Sequence, residues 1–256
     1  MPHWIPSIDP PDMSPVDRAK PGRSPNLTRS FDRYNDSYRK EVEQAIGFCG
    51  QDLDFYARIK AGALLELTRK YVGDPRKLDF LDIGCGIGVT DRFLIPHVAA
   101  LHGVDTSAEC VRAAALTNQA AKYRSYDGRE LPYPDSAFDV SFVFNVIHHI
   151  HMPERPLFVR EMTRVTRVGG IVVVIEQNPL NPLTRLAVAR CPFDDGCELA
   201  RRRAVEALVS ATDGSLLESR YLMFFPWEGG LFRRVERHLR HLPFGAQFLV
   251  VTRRDR

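Results

Sequence analysis

Apolar residues recur along this chain with two alternating periods. From about residue 27 to residue 72 the spacing is helical: Phe31, Tyr34 and Tyr38, then Val42 and Ile46, then Ile59, Ala63, Leu64 and Leu67 return at three- and four-residue steps. Residues 78–83 form a short apolar run that ends in glycines and predicts a strand. The pattern then predicts a helix over 89–97, a strand over 100–104, a helix over 107–121 and a weak strand over 122–126. Residues 138–144 alternate Val140, Phe142 and Phe144, as a strand with two distinct faces does. An amphipathic helix follows over 156–167, stopped by Gly169-Gly170, and the β-branched run 171–175 predicts a strand buried on both faces. A helix over 201–211 and strands over 216–225 and 246–252 complete the series. Repeated βα units of this kind predict an α/β fold, a doubly wound and mostly parallel sheet whose ligand sits at the carboxyl ends of the strands.

Composition trims the alternatives. The first 27 residues hold seven prolines among polar groups, too little apolar surface for a core. Residues 1–27 therefore read as a flexible leader, 28–75 as an N-terminal helical cap and 76–256 as the main domain. A net charge of +3 is too small to argue for a nucleic-acid partner. The arginine clusters at 201–203, 233–240 and 253–256 read as solvated helix faces and a frayed end. There is no run of eighteen apolar residues and no basic-then-apolar leader, so neither a membrane span nor a signal peptide is expected. Five cysteines without a C-x-x-C pair favour reduced thiols and a cytoplasmic setting.

Candidate chemistry concentrates at the strand tips. Leu81-Asp82-Ile83-Gly84-Cys85-Gly86-Ile87-Gly88 follows the first strand, and alternate glycines let a backbone turn tightly beneath a ligand. The spacing departs from the dinucleotide-binding G-x-G-x-x-G, because the third glycine falls one place early and Val89 fills its slot. Asp82 at the tip would repel a pyrophosphate and pair with an ammonium group. Asp105, which ends Gly103-Val104-Asp105, can accept hydrogen bonds from both hydroxyls of a ribose. A nucleoside with a free ribose and a cationic tail meets these demands; S-adenosylmethionine is such a molecule and NAD is not. Each acid also has a purely structural use: Asp82 could cap a turn, Asp105 the helix from Ser107, and Asp127 could turn the chain before Gly128.

Residues 78–176 resemble the class I S-adenosylmethionine-dependent methyltransferases, of the small-molecule, type 11/25-like kind. The resemblance rests on the glycine loop, on the stretch Tyr126-Asp127-Gly128-Arg129-Glu130-Leu131-Pro132-Tyr133-Pro134-Asp135 leading to Phe138-Asp139, on Asn145-Val146-Ile147-His148-His149-Ile150, and on Arg167-Val168-Gly169-Gly170. It implies a Rossmann-like sheet of seven strands with S-adenosylmethionine as cofactor. Asp82, Gly84, Cys85, Gly86, Gly88, Asp105, Thr106, Tyr126, Asp127, Gly128 and Asn145 would surround that cofactor, with Asp105 on the ribose and Asp127 on the adenine amine.

The stretch NVIHHIHMPERPLF, residues 145–158, sets His148, His149 and His151 within four positions. In the sheet of this family the fourth strand lies beside the first and faces the methyl group. His148 or His149 is therefore a candidate catalytic base for a hydroxyl or acidic-carbon acceptor, the alternative being packing at a corner. His151 is expected to be exposed. Carboxylates and cysteines are absent at ligand spacing beside these histidines, so no metal is expected. Residues 176–200, with Glu176, Asn178 and Asn181 on proline-stiffened chain, are expected to form an acceptor-side loop, joined by Tyr34 and Tyr38 of the cap. Residues 226–245 interrupt what the family builds as a tight hairpin, with Leu231, Val235, Leu239 and Leu242 at helical spacing; a lid, a homodimer contact and a helix packed on the sheet are the roles open to it. The expected activity is O- or C-methylation of a small-molecule acceptor in a biosynthetic pathway. Behind it stand a non-methylating reaction on the same cofactor (decarboxylation or rearrangement), an NAD-type oxidoreductase and a non-catalytic binding module.

Overall fold

The computed structural model describes residues 38–227 and 229–256, apart from the side chains of Tyr38, Leu231 and Arg233. The expected leader and the first part of the cap, including Tyr34, lie outside the described residues. Two helices come first, α1 (Tyr38–Ile46) and α2 (Leu53–Tyr71). Asp52 caps α2 by accepting the Phe55 N–H at 2.8 Å. Strands and helices then alternate: β1 (Asp79–Ile83), α3 (Asp91–Leu94), β2 (Ala100–Asp105), α4 (Ala108–Thr117), β3 (Lys122–Ser125), β4 (Phe138–Phe144), α5 (Arg155–Val165) and β5 (Thr166–Gln177). The remainder is α6 (Pro182–Arg190), α7 (Arg202–Ser210), β6 (Gly214–Leu222), α8 (Gly230–Leu239) and β7 (Gln247–Arg254).

Among the described residues the strands form one seven-stranded sheet of order β3-β2-β1-β4-β5-β7-β6. The pairs β1–β2, β1–β4, β2–β3 and β4–β5 are parallel, and β7 runs antiparallel between β5 and β6. The β-branched run of β5 sorts its residues by the two-residue period of a strand. Val172 and Val174 join a core with Val159 and Met162 of α5 and Val205 and Val209 of α7. Ile171, Val173 and Ile175 join the opposite core with Leu64 and Leu67 of α2 and Leu94 of α3. Sandwiched between two helical layers, the sheet can present its ligand-binding edge only where the parallel strands end.

Several predicted elements differ: the strand expected over 171–175 extends over Thr166–Gln177 and takes in the Gly169-Gly170 expected to stop the preceding helix, and the strand expected over 216–225 ends at Leu222. The helix expected over 89–97 shrinks to one turn, because Gly86–Thr90 stays in turn conformation and Pro96, lacking an N–H, ends the α-helical ladder in a 3-10 turn. The helix expected to reach residue 121 ends at Thr117, where Asn118 turns its side chain onto the Gly88 carbonyl at 2.9 Å. The segment 176–200, expected as an acceptor-side loop, contains α6: Asn181 accepts the N–H groups of Leu183 and Thr184 with Pro182 at the first helical position. Within 226–245 the spacing of apolar residues does mark a helix, α8, anchored by Glu236, which accepts the Phe224 N–H at 2.8 Å; Val235 and Leu242 remain exposed.

Candidate functional site

The tips of β1, β2 and β4 open into a cleft of about 1080 Å³. That lies just above the range for single-ligand pockets, roughly 300–1,000 Å³, and leaves room for a nucleoside and a second molecule. Val42 of α1 and Leu53, Ala57 and Lys60 of α2 line one side; Cys191, Phe193, Asp194, Gly196 and Glu198 line another.

The glycine loop forms the floor. Gly84 has φ +77° and Gly86 φ +52°, left-handed values that suit glycine. A Cβ on Gly84 would strike the Val146 side chain at 2.5 Å, whereas one on Gly86 would meet nothing within 4 Å. The loop is pinned from the next strand: Asp105 Oδ2 accepts the Gly86 N–H at 2.8 Å and its Oδ1 accepts the Ser107 N–H at 2.9 Å. Ser107 itself caps α4 by accepting from Cys110 N–H. Gly88 is held by close packing, since a Cβ there would lie 2.4 Å from Asn118 Nδ2. Cys85, Thr106, Tyr126, Asp127, Gly128 and Asn145 all border the cleft. Asp127 is exposed, and its Oδ1 accepts the Arg129 N–H at 3.0 Å in the turn that Gly128 completes. Asn145 holds φ +58° at the tip of β4, with its Oδ1 accepting from Gln247 Nε2 at 3.2 Å. Non-glycine residues in this region are uncommon and are held there by their surroundings.

Charge is unevenly placed. Asp82 is 5% exposed, and burial together with the carboxylates of Asp91 and Asp105 pushes its pKa well above the usual value, against the pull of Lys60. Burial also raises Asp91 to about 6, although the Tyr123 hydroxyl donates to it at 2.7 Å. Lys60 is 8% exposed in the same place; burial lowers it to about 8, while Glu176 and Asp82 hold it up. Its ammonium lies 5.9 Å from the Phe144 ring centroid. Lys60 escaped the sequence reading through a phase error: the buried stripe of α2 is Ala57, Ala61, Leu64, Leu67 and Thr68, and Lys60 falls in phase with it, whereas Ile59 and Ala63 sit beside it half-buried. A charged side chain in register with an apolar stripe was the available signal.

The histidine pair forms the opposite wall. His148 is 2% exposed; its Nδ1 lies 2.6 Å from Glu176 Oε2 and its Nε2 3.4 Å from Asp194 Oδ1. Burial opposes its charge, but these two carboxylates overcome that and raise it to about 9. His149 has its Nε2 3.4 Å from the same Asp194 oxygen, and burial plus the neighbouring His148 lower it to about 4. The two imidazoles are thus pushed in opposite directions, His148 toward its charged form by two carboxylates and His149 toward its neutral form by burial and its neighbour. His151 is exposed at the rim and does border the cleft.

Three of the residues expected to grip the acceptor have partners within the protein. Glu176 is 2% exposed and accepts the backbone N–H groups of Val146 and Ile147 at 2.9 and 2.7 Å besides meeting His148, so it braces the β4 corner from behind. Asn178 donates to the carbonyls of Pro243 and Gly245, and Asn181 caps α6 while donating to Phe244 O. Backbone groups meet the polar atoms of Asn178 and Asn181, and backbone together with His148 meets those of Glu176. Asp194 is a carboxylate that the loop does bring to the cleft beside the histidines. It arrives from 46 residues beyond His148, which is why spacing around the histidines could not reveal it.

Residues 81–174 match a family described as "Methyltransferase domain". The chain is 39% identical over 108 residues to 2-methyl-6-phytyl-1,4-hydroquinone methyltransferase of Synechocystis sp. (strain ATCC 27184 / PCC 6803 / Kazusa), covering 41% of this chain and 33% of that protein. It is 29% identical over 152 residues to Methyltransferase GfsG of Streptomyces halstedii, covering 54% of this chain and 53% of the other. The match thus spans about a third to a half of the length of these curated relatives. Among solved structures, geranyl diphosphate C-methyltransferase from Streptomyces coelicolor A3(2) superposes with a TM-score of 0.59 at 16% identity, covering 91% of this chain and all of that one; at this identity the likeness is one of fold. Residues 81–174 thus match the methyltransferase-domain family, and the fold around them is one that solved methyltransferases share. Among the described residues no helix is long and apolar enough to cross a membrane.

Proposed function

We propose that this chain transfers a methyl group from S-adenosylmethionine to an oxygen or carbon of a small-molecule acceptor. The observation that carries the reading is the juxtaposition, at one end of a single cleft, of buried Asp82 with buried Lys60. An amino-acid tail presents an ammonium and a carboxylate together, and this pair offers each its counter-charge. The donor set fits the rest of the cofactor as well. Gly86 leaves open space above the loop, Asp105 and Asp127 stand at the adjoining strand tips, and a cationic sulfonium suits a floor carrying Asp82 and Asp105 with Asp91 buried behind them.

When bound, S-adenosylmethionine supplies an electrophilic methyl group. The protein's part is to hold donor and acceptor in line and keep water out, which can supply much of the acceleration for a displacement of this kind. Asp105 would accept from ribose hydroxyls while keeping the glycine loop fixed, and Asp127 would meet the adenine edge. The wall of His148, His149 and Asp194 faces the space left for the acceptor.

Isothermal titration tests the reading. Asp105→Asn should weaken S-adenosylmethionine binding by about 2–4 kcal/mol through loss of charge-assisted hydrogen bonds. Undiminished affinity in a folded variant would put the ribose elsewhere.

A further inference from the structure

His148, His149 and Asp194 make a constellation that the transfer reaction does not by itself explain. One donor atom from each residue lies within 4.8 Å of the other two. Both imidazole Nε2 atoms stand 3.4 Å from the same oxygen, Asp194 Oδ1. That is long for a hydrogen bond. It equals the edge of a tetrahedron whose centre is about 2.0–2.1 Å from each nitrogen or oxygen ligand, an edge of about 3.3–3.4 Å. We infer that this trio binds a divalent ion of the zinc type, leaving at least one coordination position open toward the cleft for an oxygen-bearing acceptor.

Three independent features support the geometry. Glu176, 2% exposed, meets His148 Nδ1 at 2.6 Å, the carboxylate–histidine arrangement that orients a ligating imidazole and leaves Nε2 aimed at the ion. Gln177 Nε2 faces the carboxylate's other oxygen, Asp194 Oδ2, at 3.5 Å. The ligands sit on supported backbone: the His149 N–H donates to Val146 O, and the Asp194 N–H donates to Cys191 O, at 2.9 and 3.0 Å. Two imidazoles and one carboxylate with an open side also match the donor sets of catalytic zinc centres, in contrast to closed structural ones. The presence of the ion stands on these residues alone; its service to an acceptor hydroxyl or carboxylate rests on the methyltransferase reading above.

The test is a titration of the chelator-treated full chain with Co²⁺, followed by its visible d–d absorption, and competition with Zn²⁺. One equivalent should produce the band of a four- or five-coordinate ion, and Zn²⁺ should abolish it. Asp194→Asn and His149→Gln should each lower Co²⁺ affinity at least about tenfold, and Glu176→Gln, a positioning change, by about 10–100-fold. Affinity for S-adenosylmethionine, measured by calorimetry on Asp194→Asn and His149→Gln, should stay within a few-fold of the parent and so report that the fold is intact. If Asp194→Asn loses that too, His149→Gln decides. Absence of the band in a parent that binds S-adenosylmethionine overturns the metal site and leaves the methyltransferase reading standing. A band that survives both ligand substitutions also overturns it, since the ion is then bound elsewhere. A normal metal titration in a parent that does not bind S-adenosylmethionine overturns the methyltransferase reading alone.

Discussion

Lys60 is the residue at which stability and binding pull in opposite directions. It is buried in α2 among apolar neighbours, and burial lowers it to about 8 despite Glu176 and Asp82. The unfolded chain keeps that proton to a pH of about 10.4. Between these values the unfolded state binds more protons, so this group makes stability rise with pH; its full penalty stands below pH 8. Lys60→Met should therefore stabilise the ligand-free protein at pH 7 by up to about 3 kcal/mol, an advantage that fades toward pH 10. Urea unfolding at both pH values measures it, and a less stable variant at pH 7 would mean that Lys60 is well paired. The same substitution should raise the dissociation constant for S-adenosylmethionine about tenfold or more, through loss of a charged partner for its carboxylate. At this scale the acids at the strand tips could be read in the sequence, because Asp82 and Asp105 directly end apolar runs. Lys60 and Asp194 could not be placed, since their roles depend on which helix face is buried and which distant loop returns to the cleft.

At the scale of elements, β2 carries an unusual choice. Gly103 stands in mid-strand, where glycine ordinarily weakens a sheet. A Cβ there would meet the Tyr123 ring at 2.5 Å and Cys85 Cβ at 3.1 Å. Tyr123 crosses that gap to donate to Asp91 while Asn118 donates to its hydroxyl at 3.1 Å, so β3 is tied to the glycine loop over the back of β2. Gly103→Val should displace the ring and cost about 1–3 kcal/mol by overpacking. Chemical denaturation of the variant should show the loss, and an unchanged midpoint would mean that Tyr123 moves freely. Strands were legible here because burial on both faces writes a continuous apolar run. The helix α6 was not, because its nine residues expose much of their apolar surface and only the Asn181-Pro182 start signal marks it.

At the scale of the molecule, the order β3-β2-β1-β4-β5-β7-β6 gathers three parallel tips, β2, β1 and β4, around one cleft. Their neighbours then arrive from distant sequence: α1 and α2 from one direction, the segment 191–198 from the other. The βα alternation made the sheet foreseeable, but the closing of the cleft is a long-range event that no local period encodes. Because α2, β1 and the 191–198 segment meet only in the folded chain, a ligand held between them stabilises the whole molecule. S-adenosylmethionine at 100 times its dissociation constant should add about 2.7 kcal/mol. For a chain of this size that raises the Tm by roughly 5–10 °C. NAD should give no shift, since Asp82 faces the place where its pyrophosphate would lie. Lys60→Met should start from a higher Tm at neutral pH and gain less from a fixed S-adenosylmethionine concentration, because the charge removed from the interior is the one that receives the ligand. A melting series on both proteins separates this from trivial destabilisation: a lower starting Tm with an undiminished shift would place Lys60 in the scaffold and not in the binding site.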